Sequence, residues 1–540
     1  MRSHWANCSI IRWLGTPILS VAALLAACQR DDVPTDPRAT EPAGVQLSAE
    51  ALELRKGQLE RFSTMPMLIT AAELGVTEIQ SKQIKQQNQG AQNGPKKLND
   101  VPIANNPVAH ENEPSVATNP KKKKLLVAGN HVITATVRCE ARRSSDGGDS
   151  WSAPVLMPQL AGNCSDPVLA YAPDGSRVFY AYMDVKASNF DILVSYSEDD
   201  GATWTGPFVA LQGAPFAFDY DKPWIGTPDD EANFVYVTAT RFDASGVGNC
   251  YIVFTRSTNG GTAWEAPQIL DQSTAGCGFG VSPVVQGSRP TGAKHGDVLA
   301  AWFHSGTDGW LEGSFNIRTR YSADFGATFG PIVDAVTDGS ELPFWLGPFA
   351  CYERWWVGMM PDVEIDPGGG GHLAYAHDPV PNPGGFSTTA EDGDVRHVMS
   401  PGPPYTSWSA PTTVNDDGTV SAQGLISLDI MAEGSGQSAK PHATWMDHRL
   451  LRSPDPECDG ITPANPYYDM FYSTLQGHDW RENVRVSDAS SRSDFIFLGD
   501  YNDLTPTNGG LFTVWTDRRD KATIFDFEDD IWGSLTHRVH

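Results

Sequence analysis

The segment SSDGGDSW at residues 144–151 returns three times, as SEDDGATW at 197–204, STNGGTAW at 257–264 and SADFGATF at 322–329. The shared pattern is Ser-x-(Asp/Asn)-x-Gly-x-(Ser/Thr/Ala)-(Trp/Phe). This spacing suits a tight turn between two antiparallel strands, because the Asp or Asn side chain can accept hydrogen bonds from the amides of its own turn and glycine can adopt a positive φ. The aromatic residue then packs beneath the turn, so we expect these residues to be structural.

Weaker copies extend the repeat to seven units: SWSAP at 407–411, STLQGHDW at 473–480 and DIWGSL at 530–535. Each unit has the pattern of four short β-strands, which in the second unit are 168–171, 177–182, 191–196 and 206–211. The seventh unit has only three, and DVPI at 100–103 can supply the fourth, since it precedes the first unit as NVRV at 483–486 precedes the seventh. The sequence therefore predicts an all-β fold, a seven-bladed β-propeller closed by its two ends, with six blades as the alternative.

These repeats resemble the BNR or Asp-box repeats of sialidases and related propeller proteins, over roughly residues 97–540. The resemblance implies a glycoside hydrolase-like reaction on a complex or acidic glycan. Sialidases of this type clamp the substrate carboxylate with three arginines, one of them in an Arg-Ile-Pro motif that this sequence lacks. Three more stretches resemble uncharacterised secreted members of the same superfamily: NEPSVA at 112–117, DKPWI at 221–225 and GDY at 499–501.

The N-terminus has the features of an export signal. An apolar stretch at Leu14–Leu25 is too short to span a bilayer comfortably, and LAAC at 25–28 resembles a bacterial lipobox. We predict a signal peptide at 1–27 and lipidation of Cys28, with an ordinary signal peptide and a chance cysteine as the alternative. Residues 28–96 combine a polar tether, helical periodicity over 46–82 and a Gln/Asn-rich linker, and the propeller occupies 97–540. We therefore expect an extracytoplasmic protein of the bacterial cell envelope, held at the membrane by its lipid alone.

The chain is strongly acidic, with a formal net charge of −27. This charge disfavours nucleic acid and anionic lipid as partners. The acids either form a solvated surface or line a mouth that binds cations or neutral polymers. We expect a monomer whose partner is a carbohydrate or glycoconjugate.

Six cysteines remain after Cys8 and Cys28 are set aside, and all fall in or beside the long connections opposite the repeated turns. Pairing of neighbours predicts Cys139–Cys164, Cys250–Cys277 and Cys351–Cys458, as suits export into an oxidising compartment. Metal ligation is a poor alternative because no C-x-x-C spacing occurs. No cofactor is predicted, and a calcium ion held by carboxylates at the mouth is the alternative, although EF-hand-type ligand spacing is missing.

Function in a propeller is usually carried by loops on a rigid frame, so we searched the long connections for carboxylates, arginines and aromatic residues. Carboxylates can act as general acids or bases, arginines can bind an anionic sugar, and aromatic rings stack on sugar rings. The predicted catalytic candidates are Asp221, Tyr352, Glu353, His448 and Tyr501. The predicted substrate-binding candidates are Arg241, Arg354, Arg449, Arg519 and Trp355.

Each candidate group has a plainer explanation. The W-x-D-x-R pattern at 445–449 and 515–519 also fits an internal brace in which Asp and Arg pair, and residues 352–356 also fit a packed loop beside Cys351. His448 beside a tyrosine and an arginine would suit β-elimination from a uronate. Three functions thus remain open: a glycosidase-like enzyme, a polysaccharide lyase, and a non-catalytic binding propeller.

Overall fold

The described residues form seven antiparallel β-sheets. They belong to a computed structural model that describes residues 100–537 except for 107–108, 135, 161, 245–247, 274–276, 278–282, 306–313, 341–359, 380–392, 419–420, 422, 433–438, 451–466, 493–497 and 520–528. The predicted helical segment at 46–82 lies outside this range. No helix among the described residues is long and apolar enough to cross a membrane.

Each sheet is one blade, and the first strand of each blade contacts the first strands of both neighbouring blades, which places these strands around a central axis. Blade 1 has β2 (His110–Thr118), β3 (Leu126–Ile133), β4 (Val137–Ser144) and β5 (Val155–Leu156); blade 2 has β6 (Asn163–Tyr171), β7 (Val178–Val185), β8 (Phe190–Ser197) and β9 (Thr205–Leu211). Blade 3 has β10 (Phe218–Gly226), β11 (Val235–Asp243), β12 (Cys250–Ser257) and β13 (Gln268–Ser273); blade 4 has β14 (Val285–Gly292), β15 (Val298–Ser305), β16 (Ser314–Ser322) and β17 (Val333–Ser340). Blade 5 has β18 (Asp362–Ile365), β19 (Gly371–His377), β20 (Asp394–Ser400) and β21 (Thr412–Thr413).

Blades 6 and 7 complete the ring. Blade 6 has β22 (Gln423–Ala432), β23 (Ala439–Asp447) and β24 (Tyr467–Gln476), with the short strands β25 (Asp479–Trp480), β26 (Val484–Arg485) and β27 (Ser491–Arg492) all paired to β24. Blade 7 has β28 (Asp503–Pro506), β29 (Gly510–Asp517) and β30 (Asp530–His537), and its fourth strand is β1 (Val101–Ala104). Val101 lies opposite Gly533 in this pairing. The prediction of seven blades closed by the two ends of the domain is confirmed.

The repeated Asp-box segments form the turn between the third and fourth strands of blades 1 to 4. In the first, Ser144 Oγ accepts a hydrogen bond from the Gly148 amide at 2.9 Å, and Asp146 accepts one from the Ser150 amide at 3.0 Å. Gly148 has φ +105°, and a Cβ there would lie 2.2 Å from Phe512 of the preceding blade. The turn therefore requires glycine for its conformation and for the close approach of the two blades, and the predicted structural role is confirmed.

Two of the three predicted disulfides are present, Cys139–Cys164 and Cys250–Cys277. Each joins the start of a blade's third strand to the beginning of the next blade, on the face opposite the Asp boxes. This face also carries the long connections, so the disulfides fasten neighbouring blades where the loops are longest. Cys351 and Cys458 lie outside the described residues, and their pairing stays a prediction.

Candidate active site

The inner strands of five blades contain a β-bulge at the same position. The register shifts between Asn112 and Ser115, and equivalent shifts occur in β6, β10, β14 and β22. Three of the bulges hold a charged residue directly before proline with a positive φ: Glu113 at +53°, Asp166 at +50° and Lys222 at +55°. Such a conformation costs a non-glycine residue about 1–3 kcal/mol, and residues of this kind gather at functional sites.

These three side chains meet Asp500 of blade 7 at the axis, and we call Glu113, Asp166, Lys222 and Asp500 the axial cluster. Lys222 Nζ lies 2.9 Å from Asp500 Oδ2, 3.0 Å from Asp166 Oδ1 and 3.7 Å from Glu113 Oε1. All four residues are buried, and Lys222, the most exposed of them, has a relative solvent accessibility of 4%. One ammonium group thus faces three carboxylates contributed by three other blades.

Burial and neighbouring charges shift the pKa values of Glu113 and Lys222 in the axial cluster. Burial, followed by repulsion from Asp166, raises the pKa of Glu113 well above its usual value. Burial alone would lower the pKa of Lys222, but Asp166, Asp500 and Glu113 together raise it above the usual lysine range. The cluster therefore favours the charged form of Lys222 and the protonated form of Glu113.

A neutral histidine flanks the cluster. His131 Nδ1 lies 3.4 Å from Glu113 Oε2, and burial, followed by the charge of Lys222, lowers the His131 pKa to about 3. Among the described residues neither His131 ring nitrogen nor Glu113 Oε2 has a hydrogen-bond partner. A proton on Glu113 Oε2 would face this imidazole, which can accept it.

A small cavity of about 10 Å³ adjoins the cluster between Lys222, Tyr501 and Met360. Gly287 lines it at the bulge position of blade 4, where blades 1 to 3 carry a charged side chain. A Cβ at Gly287 would lie 2.4 Å from Met360, so only glycine fits. The space is about that of one water molecule.

Other acids around the axis have a structural role. Asp362 Oδ2 accepts a hydrogen bond from the Leu428 amide at 2.8 Å, and Asp503 Oδ2 accepts one from the Val116 amide at 2.9 Å. In both cases the carboxylate of one blade satisfies an inner-strand amide of the next, which would otherwise be buried without a partner. Asp362 also pairs with Arg289 of blade 4 at 2.5 Å, so it has one counter-ion of its own, whereas in the axial cluster one ammonium group faces three carboxylates.

Two predicted site residues border the axial cluster. Asp221 Oδ1 accepts a hydrogen bond from the Lys222 amide at 2.9 Å, and its Oδ2 accepts one from Gln286 at 3.1 Å. The Tyr501 hydroxyl donates to the Pro167 carbonyl at 2.8 Å, and the centre of its ring is 4.5 Å from Lys222 Nζ. Both side chains support the positions of the charged groups.

Three of the four predicted arginines lie within the described residues, and each of these three is in an ion pair. Arg241 pairs with Asp243 at 2.7 Å, and its guanidinium is 4.2 Å from the centre of the Phe218 ring. Arg449 pairs with Asp447 at 2.8 Å and Arg519 with Asp517 at 2.7 Å. In both W-x-D-x-R segments the tryptophan Nε1 donates to the same aspartate, at 2.8 and 2.7 Å. The geometry is that of the internal brace.

Of the remaining candidates, only His448 lies within the described residues. His448 is 9% exposed, and its ring centre is 6.4 Å from that of Tyr468. Tyr352, Glu353, Arg354 and Trp355 lie outside the described residues. Glu113 and Asp166 are not among the residues predicted for the site, although a charged residue directly before proline at the start of successive units is a signal that could have found them.

Glu113, Asp166 and Asp500 are also close enough to share a metal ion, with ligand oxygens within 4.8 Å of one another. Calcium takes six to eight oxygen ligands. Here the Lys222 ammonium already contacts two of the three carboxylates, so the described residues fit a protein cation better than a calcium ion.

Comparison with known proteins gives a likeness of architecture. No protein-family model and no curated protein matches the chain in sequence. Similar solved structures include the GH93 α-L-arabinofuranosidase of Fusarium graminearum, with 13% identity over 81% of this chain and 97% of that chain and a TM-score of 0.41. An α-L-arabinanase of Penicillium chrysogenum has 12% identity over 82% and 99% and a TM-score of 0.44. The sialidase of Trypanosoma rangeli has 12% identity over 70% and 55% and a TM-score of 0.41.

Proposed function

We propose that this protein is a carbohydrate-active propeller that hydrolyses a glycosidic bond at the axial cluster. The observation that carries the proposal is the meeting of three carboxylates and one ammonium on strained inner-strand bulges. Glu113, whose raised pKa favours the protonated form, acts as the general acid, and Asp166 or Asp500 acts as base or nucleophile. The oxygens lie within 4.8 Å of one another, closer to the spacing of about 5 Å in retaining enzymes than to the wider spacing of inverting ones.

The test measures whether the purified protein cleaves sialosides, uronate-containing polysaccharides or neutral polysaccharides. If wild-type protein cleaves one of them, Glu113→Gln should lower kcat by about 100-fold or more, because an amide cannot donate the proton. Glu198→Gln is the matched control, since Glu198 is an exposed acid paired with Arg177. Equal activity of the two variants would show that Glu113 takes no part in the reaction.

A second candidate, a non-catalytic propeller that binds glycan or protein on its loop-bearing face, is favoured by two observations. The axial cluster is buried, and Arg241, Arg449 and Arg519 are all engaged in ion pairs. Retained binding of a polysaccharide without turnover would establish this function and reject the first. A lyase would need Arg449 to bind a uronate carboxylate, whereas Arg449 also contacts Asp416 at 2.6 Å.

We further propose that the protein is exported and anchored by lipid on Cys28 in the bacterial cell envelope. The LAAC segment at 25–28 supports this proposal. Cys28→Ala should move the protein from the membrane fraction to the soluble fraction of lysed cells, whereas Cys8→Ala should leave it in place. Unchanged fractionation of the Cys28 variant would reject lipid anchoring.

A further inference from the structure

The contact that closes the ring has a counterpart in blade 6. In blade 6, Arg449 contacts Asp447, Asp416 and Asn483. Asp416 and Asn483 also bind each other: the Asp416 amide donates to Asn483 Oδ1 at 2.7 Å, and the Asn483 amide donates to Asp416 Oδ2 at 2.8 Å. At the closure, Arg519 contacts Asp517, Asp488 and Asp100. Asp488 and Asp100 bind each other in the same way: the Asp488 amide donates to Asp100 Oδ2 at 2.7 Å, and the Asp100 amide donates to Asp488 Oδ2 at 3.3 Å. The two networks match position by position, except that Asp100 replaces Asn483.

This exchange changes one hydrogen bond. Asn483 Nδ2 donates to the carbonyl of Val414, two residues before Asp416, at 2.9 Å. The equivalent carbonyl at the closure belongs to Val486, two residues before Asp488. Asp100 Oδ1 is buried and has no hydrogen-bond partner among the described residues. A carboxylate has no proton to donate there, but a carboxylic acid has the shape and the donor of the amide it replaces.

We propose that the contact between β1 and the last blade is a pH-sensitive latch, in which Asp100 holds the ring closed most firmly when it carries a proton. When Asp100 ionises, its carboxylate faces the carboxylate of Asp488, and the two share a single guanidinium group, that of Arg519. This guanidinium is already paired with Asp517. On its other side, β1 packs against β30, where Val101 and Pro102 lie opposite Gly533 and Trp532, which carry no charge.

The direction of the pH response follows from the burial of Asp100. Burial, followed by the contact with Asp488, raises the Asp100 pKa from 3.8 to about 7, although Arg519 opposes the shift. The folded chain thus binds this proton more tightly than the unfolded chain does. The latch therefore weakens as pH rises from about 4 to about 7 and stays weak above that range.

The test compares wild-type protein with Asp100→Asn, which copies blade 6. The two should have the same Tm at pH 4, and the variant should exceed wild type by about 2 °C or more at pH 8. Hydrogen exchange should show that protection factors of residues 101–104, corrected for the intrinsic rate, fall between pH 5 and pH 8 in wild type only. The reciprocal change Asn483→Asp should give blade 6 the same pH dependence.

Buried acids elsewhere titrate equally in both proteins, so only the difference between variant and wild type reports on Asp100. The proposal would be overturned if the difference in Tm between wild type and variant were independent of pH both for Asp100→Asn and for Asn483→Asp. This result would be independent of any glycan turnover, because the latch and the axial cluster share no residue.

Discussion

Replacing Lys222 with methionine is expected to lower the free energy of unfolding by about 3–5 kcal/mol. The ammonium group faces three buried carboxylates from three other blades, and methionine leaves them without a counter-ion. Protonation of the carboxylates can offset only part of this cost, so the loss should be greatest at high pH. Chemical denaturation of wild-type and variant protein at pH 5 and pH 8 measures both effects.

Lys122→Met is the matched control. Lys122 also pairs with one aspartate, Asp200 at 3.3 Å, but its side chain is 63% exposed, so its removal should cost less than about 1 kcal/mol. Adding Glu113→Gln and Asp166→Asn to the Lys222 variant removes two of the three acidic groups that are left facing one another and should restore part of the stability. Equal losses for the two lysine variants would contradict the role of Lys222 as the counter-ion of the axial cluster.

Asp517→Ala is expected to be the second most damaging change, at about 3 kcal/mol or more. Its carboxylate accepts hydrogen bonds from the buried Trp515 Nε1 at 2.7 Å and from Arg519 Nε at 3.0 Å, and it also accepts one from the Arg519 amide at 2.7 Å. Alanine leaves these donors buried without their acceptor. Thermal and chemical unfolding of wild-type and variant protein at pH 7 measure the loss.

Asp334→Ala tests whether this effect depends on burial. Asp334 also accepts a hydrogen bond from an arginine, Arg318 Nε at 3.0 Å, but its side chain is 40% exposed. Its loss should cost about 0.5 kcal/mol. A cost for Asp517→Ala as small as this would mean that the brace contributes little to the stability of blade 7.

The propeller could be predicted because its information is local and repeated. Each Asp box contains the side chains that satisfy its own turn, as Ser144 and Asp146 do, so a short segment suffices to recognise it. The closure was also predictable, because Asp100 and Asn483 occupy equivalent places in their units. The inner strand of blade 2 starts at Asn163, five residues before the predicted start, because its bulge lets the strand continue through Asp166 and Pro167.

The candidate site could not be predicted in the same way because its information is not local. Glu113, Asp166, Lys222 and Asp500 are spread over nearly 400 residues and meet only when seven blades close around an axis. The search also favoured loops, whereas three of these residues lie on inner strands. A W-x-D-x-R segment has the same sequence whether its arginine binds substrate or braces a blade. Only the position of its aspartate in the fold, Asp447 or Asp517, distinguishes the two roles.

The first strand also determines how the propeller would respond to a pulling force. Residues 1–99 join the domain through β1, a strand of four residues that pairs with β30 alone. Tension on the segment before Asp100 would reach the contacts of Asp100 with Asp488 and Arg519 first, and the pairing of Val101 with Gly533 next. Every other blade is a continuous stretch of chain, so none of them has to open for β1 to detach. Under force, the domain should therefore lose its closing strand as a separate early step, before any blade unravels.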